Sequence, residues 1–500
     1  MTAAWTSWPV PGTPPDPLWR DKPEPRHLDG DIMDAWRVDL ERWDAPSATL
    51  DALAMLENPA CAVVVTGQQP GVWGGPLYCL YKAATAVAAA ARLRRNRGLP
   101  AVAVFWMGAD DADWDEVAWG AVPRPDLSLY RERWASPLDT SRHWVGSATL
   151  GFPEDARTVL ESRGPLPRSL GAPTPGELVT LGDGFAGFLL QTLGSEGILV
   201  LDARMRALHR AAVPLWQRYL PLRKTLARRV DDQGGRLAPE SDPPILPGES
   251  ERGLFLTDGE RREVPDPETW DAEVARRLDA GGDGLAPSVL LRAPLQDYLF
   301  GPVAQVVGDG EAAYLRQLQP VYEALAVPAP VRLPRLQATL CPRGLVPRER
   351  LAEAVRRPET ILGELAREAT PPRLREELSG LGCTVRRRLA AVVAESEGFG
   401  KDVKEMAASA ARRIDQQISR LETTVDRRGR QTLYAREPRL RHLPEFLRPR
   451  RRPQDRGLSG VSVELLLGPE GTARVLAGAD IHLDRLAEGS IHHLALEYDA

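Results

Sequence analysis

At 500 residues the chain exceeds a single ordinary core, so two or three structural units are expected. Its 43% hydrophobic and 27% charged residues are those of a soluble globular fold. A net charge of only -5 gives no global electrostatic case for nucleic acid or anionic membrane, and no uncharged run is long enough to span a bilayer.

Residues 1–60 read as an irregular Pro-rich lead followed by helices that pack on the core. Ile32, Trp36, Leu40 and Trp43 recur at helical spacing, which marks a core-facing stripe. The lead has neither a basic nor an apolar segment of the kind that begins a secretory signal, so a cytoplasmic protein is expected. The four cysteines, Cys61, Cys79, Cys341 and Cys383, form no CxxC pair and read as reduced thiols.

A core of α/β type is expected over 61–340. Cys61–Thr66 reads as a buried strand, Pro76–Arg97 as an Ala-rich helix and Ala101–Trp106 as a second strand, together a βαβ unit of a parallel sheet. Between the first strand and the helix lies Thr66-Gly67-Gln68-Gln69-Pro70-Gly71, a glycine turn placed to hold an anion on free backbone N–H groups. It matches neither GxGxxG nor the Walker pattern. Lys82, one of only five lysines, stands just beyond it. Cys79 sits early in the helix, where the N-terminus could lower its pKa; a buried structural thiol is the other reading.

The second strand runs into an acidic loop with Asp110, Asp111, Asp113, Asp115 and Glu116. Such a loop can ligate Mg²⁺, recognise a cationic amine, or simply be a solvated turn whose Asp caps the next element. Ligands of open α/β sheets bind at the carboxyl ends of strands, so this loop and the TGQQPG turn are expected side by side. Irregular insertions are expected near 121–194 and 234–284. Gly197–Asp202 reads as a strand, Met205 to about Asp231 as a helix, and Ser288–Leu291, Val303–Val307 and Val331–Leu333 as further short strands. A helix to about Leu325 follows Gly308-Asp309-Gly310-Glu311.

Residues 341–447 read as a helical arm. Leu374, Leu378, Leu381, Val385, Leu389 and Val392, then Val403, Ala407, Ala410, Ile414, Ile418, Leu421 and Val425, follow near-heptad spacing on either side of Glu395–Gly400. That pattern predicts an antiparallel coiled-coil hairpin suited to oligomerisation. The segment 448–500 is expected to return to the core and end as helices. Its basic run, Arg448–Arg456, is short, broken by prolines and free of aromatics, so no nucleic-acid partner is expected. His492-His493 lacks a second ligand pair, and no metal site is expected. No nucleophile–base set of hydrolase type is visible.

The run from Val63 to Ala83, followed by VAVFWMGADDADWDEV, resembles the bacillithiol biosynthesis cysteine-adding enzyme family, BshC. Leu285–Leu315, Leu333–Leu340 and Arg452–Gly471 continue the resemblance in family order. It implies a Rossmann-like core similar to class I aminoacyl-tRNA synthetases and nucleotidylyltransferases, with connecting-peptide insertions and a coiled-coil arm that makes a homodimer. The implied reaction joins cysteine to the amino group of glucosaminyl-malate, with ATP, accompanied by Mg²⁺, activating the carboxylate and no tightly bound cofactor. On this basis Asp111, Asp113 and Gln69 are candidate catalytic residues. Thr66, Gly67, Gln68, Gly71, Lys82, Arg292, Gln296, Gly308, Gly310, Glu311 and Tyr314 are candidate substrate- or nucleotide-binding residues, and Arg335 is a further candidate for phosphate. The chain departs from the family at Ala112, where a histidine is expected, and at Asp309, where a proline is expected. Two alternatives stand beside the ligase: a transferase with another acceptor, and a catalytically silent dimeric relative.

Overall fold

An uninterrupted apolar run is stable as a strand only where both sheet faces are covered, and that is how Val63, Val64 and Val65 are used: all three are fully buried. The computed structural model describes residues 5–135, 142–150, 158, 179–238, 244–245, 253–259, 261–263 and 268–499, so parts of the expected insertions lie outside the described residues. Two compact units emerge, one of residues 1–124, 129–341 and 454–500, the other of 125–128 and 342–453.

The first unit is built on a five-stranded, all-parallel sheet. Its strands are β2 (Ala62–Gln68), β3 (Ala101–Met107), β4 (Ile198–Asp202), β5 (Ala304–Val307) and β6 (Val331–Pro334), in the order β6-β5-β2-β3-β4. The chain moves outward from β2 through β3 to β4, then returns to the other side of β2 with β5. The strand order therefore reverses between β2 and β5, and a crevice opens there at the strands' carboxyl ends. After helices α1 (Gly30–Arg42) and α2 (Ser47–Met55), helix α3 (Leu77–Arg97) packs on β2 and β3 and ends at Gly98, whose φ of 64° and bond to the Arg94 carbonyl form a left-handed cap. The Rossmann-like core and a C-terminal part with long helices agree with expectation.

Several local expectations are corrected. The Pro-rich lead contains strand β1 (Trp5–Pro9), and the C-terminus ends in strand β8 (His492–Tyr498) after helix Gly471–Ala487. These two pair antiparallel, and β7 (Gln337–Pro342) completes their sheet. Partners almost the whole chain apart leave no local turn signal to read. The expected helix from Met205 is three pieces, Arg206–Ala211, Val213–Tyr219 and Arg223–Leu237, because Pro214 and Pro221 cannot donate to a preceding turn. Ser288–Leu291 is not a strand: Ser288 caps helix Val289–Phe300 by accepting from the Leu290 amide at 3.2 Å.

In the second unit, helices Pro372–Glu395 and Lys401–Arg436 lie alongside each other, joined by a short turn. Arg386 bridges Asp415 at 2.7 Å and Glu422 at 2.9 Å, while Ile418 and Gly382 are buried between the helices. Leu374, Leu381, Val392, Phe399, Met406, Ile414 and Leu421 are exposed on this pair and its turn.

Candidate functional site

A cleft of about 620 Å³ lies at the strand-order reversal. The β2 end contributes Gly67, Gln68 and Gln69; β3 and its loop contribute Trp106, Gly108, Asp111 and Glu116. The opposite wall is Arg292, Ala293 and Gln296 from helix Val289–Phe300, with Gln305 of β5 and Glu311 and Tyr314 of helix Asp309–Gln317. The TGQQ turn and the acidic loop thus meet as expected, and the Arg292–Tyr314 block faces them.

The two glutamines act in series. Gln68 donates from Nε2 to Gln69 Oε1 at 2.6 Å, which turns the Gln69 amide nitrogen toward the acidic loop. Gln69 Nε2 then donates to Glu116 Oε2 at 2.9 Å and to Asp111 Oδ2 at 3.3 Å. One amide therefore ties two carboxylates to the end of β2. Gly67 is required at this point, since a Cβ there would stand 2.6 Å from the Trp106 carbonyl oxygen on the paired strand.

The two carboxylates have opposite electrostatics. Burial works to raise the pKa of Asp111, but Arg292 Nη1 at 3.1 Å, the Ala112 amide at 2.7 Å and Arg262 at 3.8 Å outweigh it and hold the group below the usual range. Glu116 is solvent-facing, yet the cleft walls desolvate its carboxyl, and with the charges of Asp113 and Asp111 they push its pKa up against the Gln69 hydrogen bond. Environments that drive neighbouring carboxyls apart separate a fixed anion from a proton acceptor. Behind Asp111, Asp110 is 1% exposed, 3.8 Å from Arg292 Nη2, and neither of its oxygens has a hydrogen-bond partner among the described residues. Burial works against the charge of Arg292, but these two aspartates raise its pKa and keep it protonated.

Under the turn, Lys82 is buried and donates to the Gly67 carbonyl and, at 2.8 Å, to Glu311 Oε2. Glu311 also accepts from the Gly308 amide at 3.4 Å, satisfying an N–H at the start of its helix. Tyr314 donates to the Val289 carbonyl at 2.7 Å, and Gln296 to Asp297 at 3.2 Å.

Of the candidate residues, Gly67, Gln68, Gln69, Asp111, Arg292, Gln296, Glu311 and Tyr314 line the cleft. Thr66 is bonded within the sheet to the Val306 carbonyl at 2.9 Å. Gly71 is packed against Gly75, leaving no room for a Cβ. Asp113 caps the short helix Trp114–Val117 through the Glu116 amide, and Gly308 and Gly310 belong to the opening of helix Asp309–Gln317. Arg335 is held by Asp455 at 2.6 Å. The start of α3 offers less to an anion than its sequence suggests, because the Leu77 amide donates to Leu458 and the Gly75 amide to Gly71 and Val72. Burial pushes the Cys79 thiol up to about 12, which makes it a structural group rather than an activated one.

Sequence reasoning did not assign Trp106, Gln305 or Arg262, nor single out Glu116 within its loop. Gln305 carried a signal, a lone amide inside an apolar strand. Arg262 carried none, because it reaches Asp111 from 151 positions away in the chain (262 − 111).

Fold and cleft together define an α/β protein of Rossmann-like type with a cleft at the sheet's reversal point. The model of the bacillithiol biosynthesis BshC N-terminal Rossmann-like domain matches residues 24–336, and the chain belongs to the BshC family. Among its relatives, the protein named "Putative cysteine ligase BshC" of Heliobacterium modesticaldum is 31% identical over 317 residues, 58% of this chain and 57% of the relative. The protein of that name from Natranaerobius thermophilus is 26% identical over 312 residues, 57% of this chain and 56% of the relative. That of Koribacter versatilis is 28% identical over 422 residues, 78% and 76% of the two chains. The first two alignments thus span little more than half the length of those relatives.

Proposed function

We propose that this chain is a cytoplasmic cysteine ligase of bacillithiol biosynthesis, joining the carboxyl group of L-cysteine to the amino group of glucosaminyl-malate. The observation that carries this reading is the Gln69 amide holding Asp111 and Glu116 together across a cleft from Arg292, in a family whose relatives bear the ligase name. Such a cleft suits substrates that bear both an ammonium and carboxylates. The four cysteines are free, in keeping with a reducing compartment.

A free carboxylate is a poor acyl donor, so the reaction calls for activation, and ATP is the activating substrate in this reading. Gly67, Gln68 and Gln69 would hold a phosphate or adenylate at the end of β2, with Lys82 keeping the turn in place. Arg292, Gln296, Glu311 and Tyr314 would form the wall for the sugar-malate. Asp113 would serve by shaping the loop, and Asp111 by binding the amine. Among the described residues no three carboxylate, imidazole or thiol side chains converge as a metal cage. Mg²⁺ brought in on nucleotide phosphates calls for no all-protein cage.

The exposed apolar side chains on helices Pro372–Glu395 and Lys401–Arg436 support a homodimer formed through this arm as a coiled coil. Ala112 favours a second reading, a relative with another acceptor or none, because the loop lacks an imidazole. The test is incubation of the purified protein with glucosaminyl-malate, cysteine and ATP, followed by mass spectrometry. Bacillithiol supports the ligase. Exchange of pyrophosphate into ATP that depends on cysteine, without that product, supports a different acceptor.

A further inference from the structure

Amide formation from an amine requires a proton acceptor, because an ammonium has no lone pair with which to attack. Histidine is the usual choice near neutral pH. All seven histidines of this chain lie outside the cleft, and position 112 is alanine.

We propose that Glu116 is the general base that deprotonates the acceptor ammonium, and that Gln69 is its positioning residue. This inference rests on the amide-forming reading above.

Geometry separates Glu116 from its neighbour. Asp111 is held by Arg292, Arg262 and the Ala112 amide, which keep its basicity low. Among the described residues Glu116 accepts one side-chain hydrogen bond, from Gln69 at 2.9 Å, and it stands where the cleft meets solvent. Among the described residues, charged or titratable groups from three elements act on it. Asp111 and Asp113 come from its own loop, Tyr78 and Cys79 from α3, and Arg456 from the turn Gln454–Arg456. Arg456 alone among these lowers its basicity, and the desolvating walls and the two aspartates prevail.

The step balances as follows. Glu116 takes one proton from the acceptor ammonium, and the freed nitrogen lone pair forms the C–N bond to the acyl carbon of an activated cysteine, an acyl phosphate or acyl adenylate. The C–O bond to that leaving group breaks, with its electron pair remaining on the departing oxygen. The second nitrogen proton leaves with the leaving group or to water. Glu116 then returns its own proton to solvent at the cleft mouth. Gln69, its orientation set by Gln68, keeps the carboxylate on the cleft side.

The experiment compares wild type, Glu116→Gln, Glu116→Asp and Gln69→Ala with two acceptors, glucosaminyl-malate and hydroxylamine, the latter unprotonated at neutral pH. With glucosaminyl-malate, Glu116→Gln is expected to lose about 10²-fold or more in kcat and to flatten the acidic limb of the pH profile. With hydroxylamine its loss is expected to stay below about tenfold, since that acceptor needs no base. Glu116→Asp should recover part of the rate, and it keeps the test open should the glutamine variant not fold. Gln69→Ala should displace the acidic limb rather than abolish it. A Glu116→Gln protein with the wild-type rate and acidic limb, or one equally impaired with both acceptors, overturns the assignment. Absence of amide from the wild type overturns instead the ligase reading beneath it.

Discussion

Lys82 Nζ lies 2.8 Å from Glu311 Oε2, with the lysine side chain 3% and the glutamate 25% exposed. With the Lys82 bond to the Gly67 carbonyl, the pair ties the end of β2 and the helix after it to the helix after β5. Replacing one member leaves a charge without its counter-ion, which costs about 3 kcal/mol for a pair this deeply placed. Lys82→Met should therefore lower the urea midpoint markedly. The double variant Lys82→Met/Glu311→Gln should be less unstable than the two single losses summed. Strict additivity would show that the contact is not energetically coupled.

Gly67→Ala tests the close approach of β2 to β3. The new Cβ would meet the Trp106 backbone oxygen at 2.6 Å, and strand backbone cannot yield as a side chain does. A loss of about 1–3 kcal/mol is expected, together with loss of ligand binding in the cleft. Unchanged thermal unfolding and unchanged binding would contradict the packing argument.

His482 gives the fold an acid sensitivity of known sign. It is buried with Nε2 2.9 Å from the Pro334 carbonyl, and burial pushes its pKa down to about 4. An unfolded histidine titrates near ~6.5. Between those values the unfolded chain holds a proton that the folded chain does not. The contribution is therefore complete above about pH 6.5 and declines as pH falls toward 4, by about 3 kcal/mol in all. His482→Gln should flatten this part of the stability–pH curve, read from urea midpoints at several pH values. An identical slope in the variant would place the sensitivity elsewhere.

The arm can be tested for self-association without touching the cleft. Ile414→Glu/Leu421→Glu places two charges on side chains that are 43% and 48% exposed in a single chain. Light scattering is expected to report a dimer for the unaltered protein and a monomer for the variant, and a monomer for both would contradict a dimer built on this arm. Helicity should hold, because neither residue is buried within its own unit.

The sheet was legible because Val63–Val65 and Ala101–Met107 are apolar on every position, a pattern that only a doubly covered strand explains. The long arm helices were legible for the complementary reason, a narrow apolar stripe among charges. The strand pair Trp5–Pro9 and His492–Tyr498 was not, since each is a strand only by virtue of a partner at the far end of the chain. In the cleft, Gln69, Asp111 and Arg292 could be placed from motif order. The division of labour between Asp111 and Glu116 could not, because it depends on Arg262 and Arg292 crowding one carboxylate and leaving the other. The expected anion cradle at α3 misled for a similar reason: the Leu458 carbonyl that occupies the Leu77 amide lies far along the chain.

The central claim is that the cleft between Gln69 and Arg292 is where the amide is made. Its most direct test is a crystal structure of the full chain with bacillithiol bound. The account predicts product density in that cleft, with the new amide within hydrogen-bond reach of Glu116 and the malate and sugar against Arg292 and Tyr314. Product bound elsewhere, with this cleft empty, would contradict it.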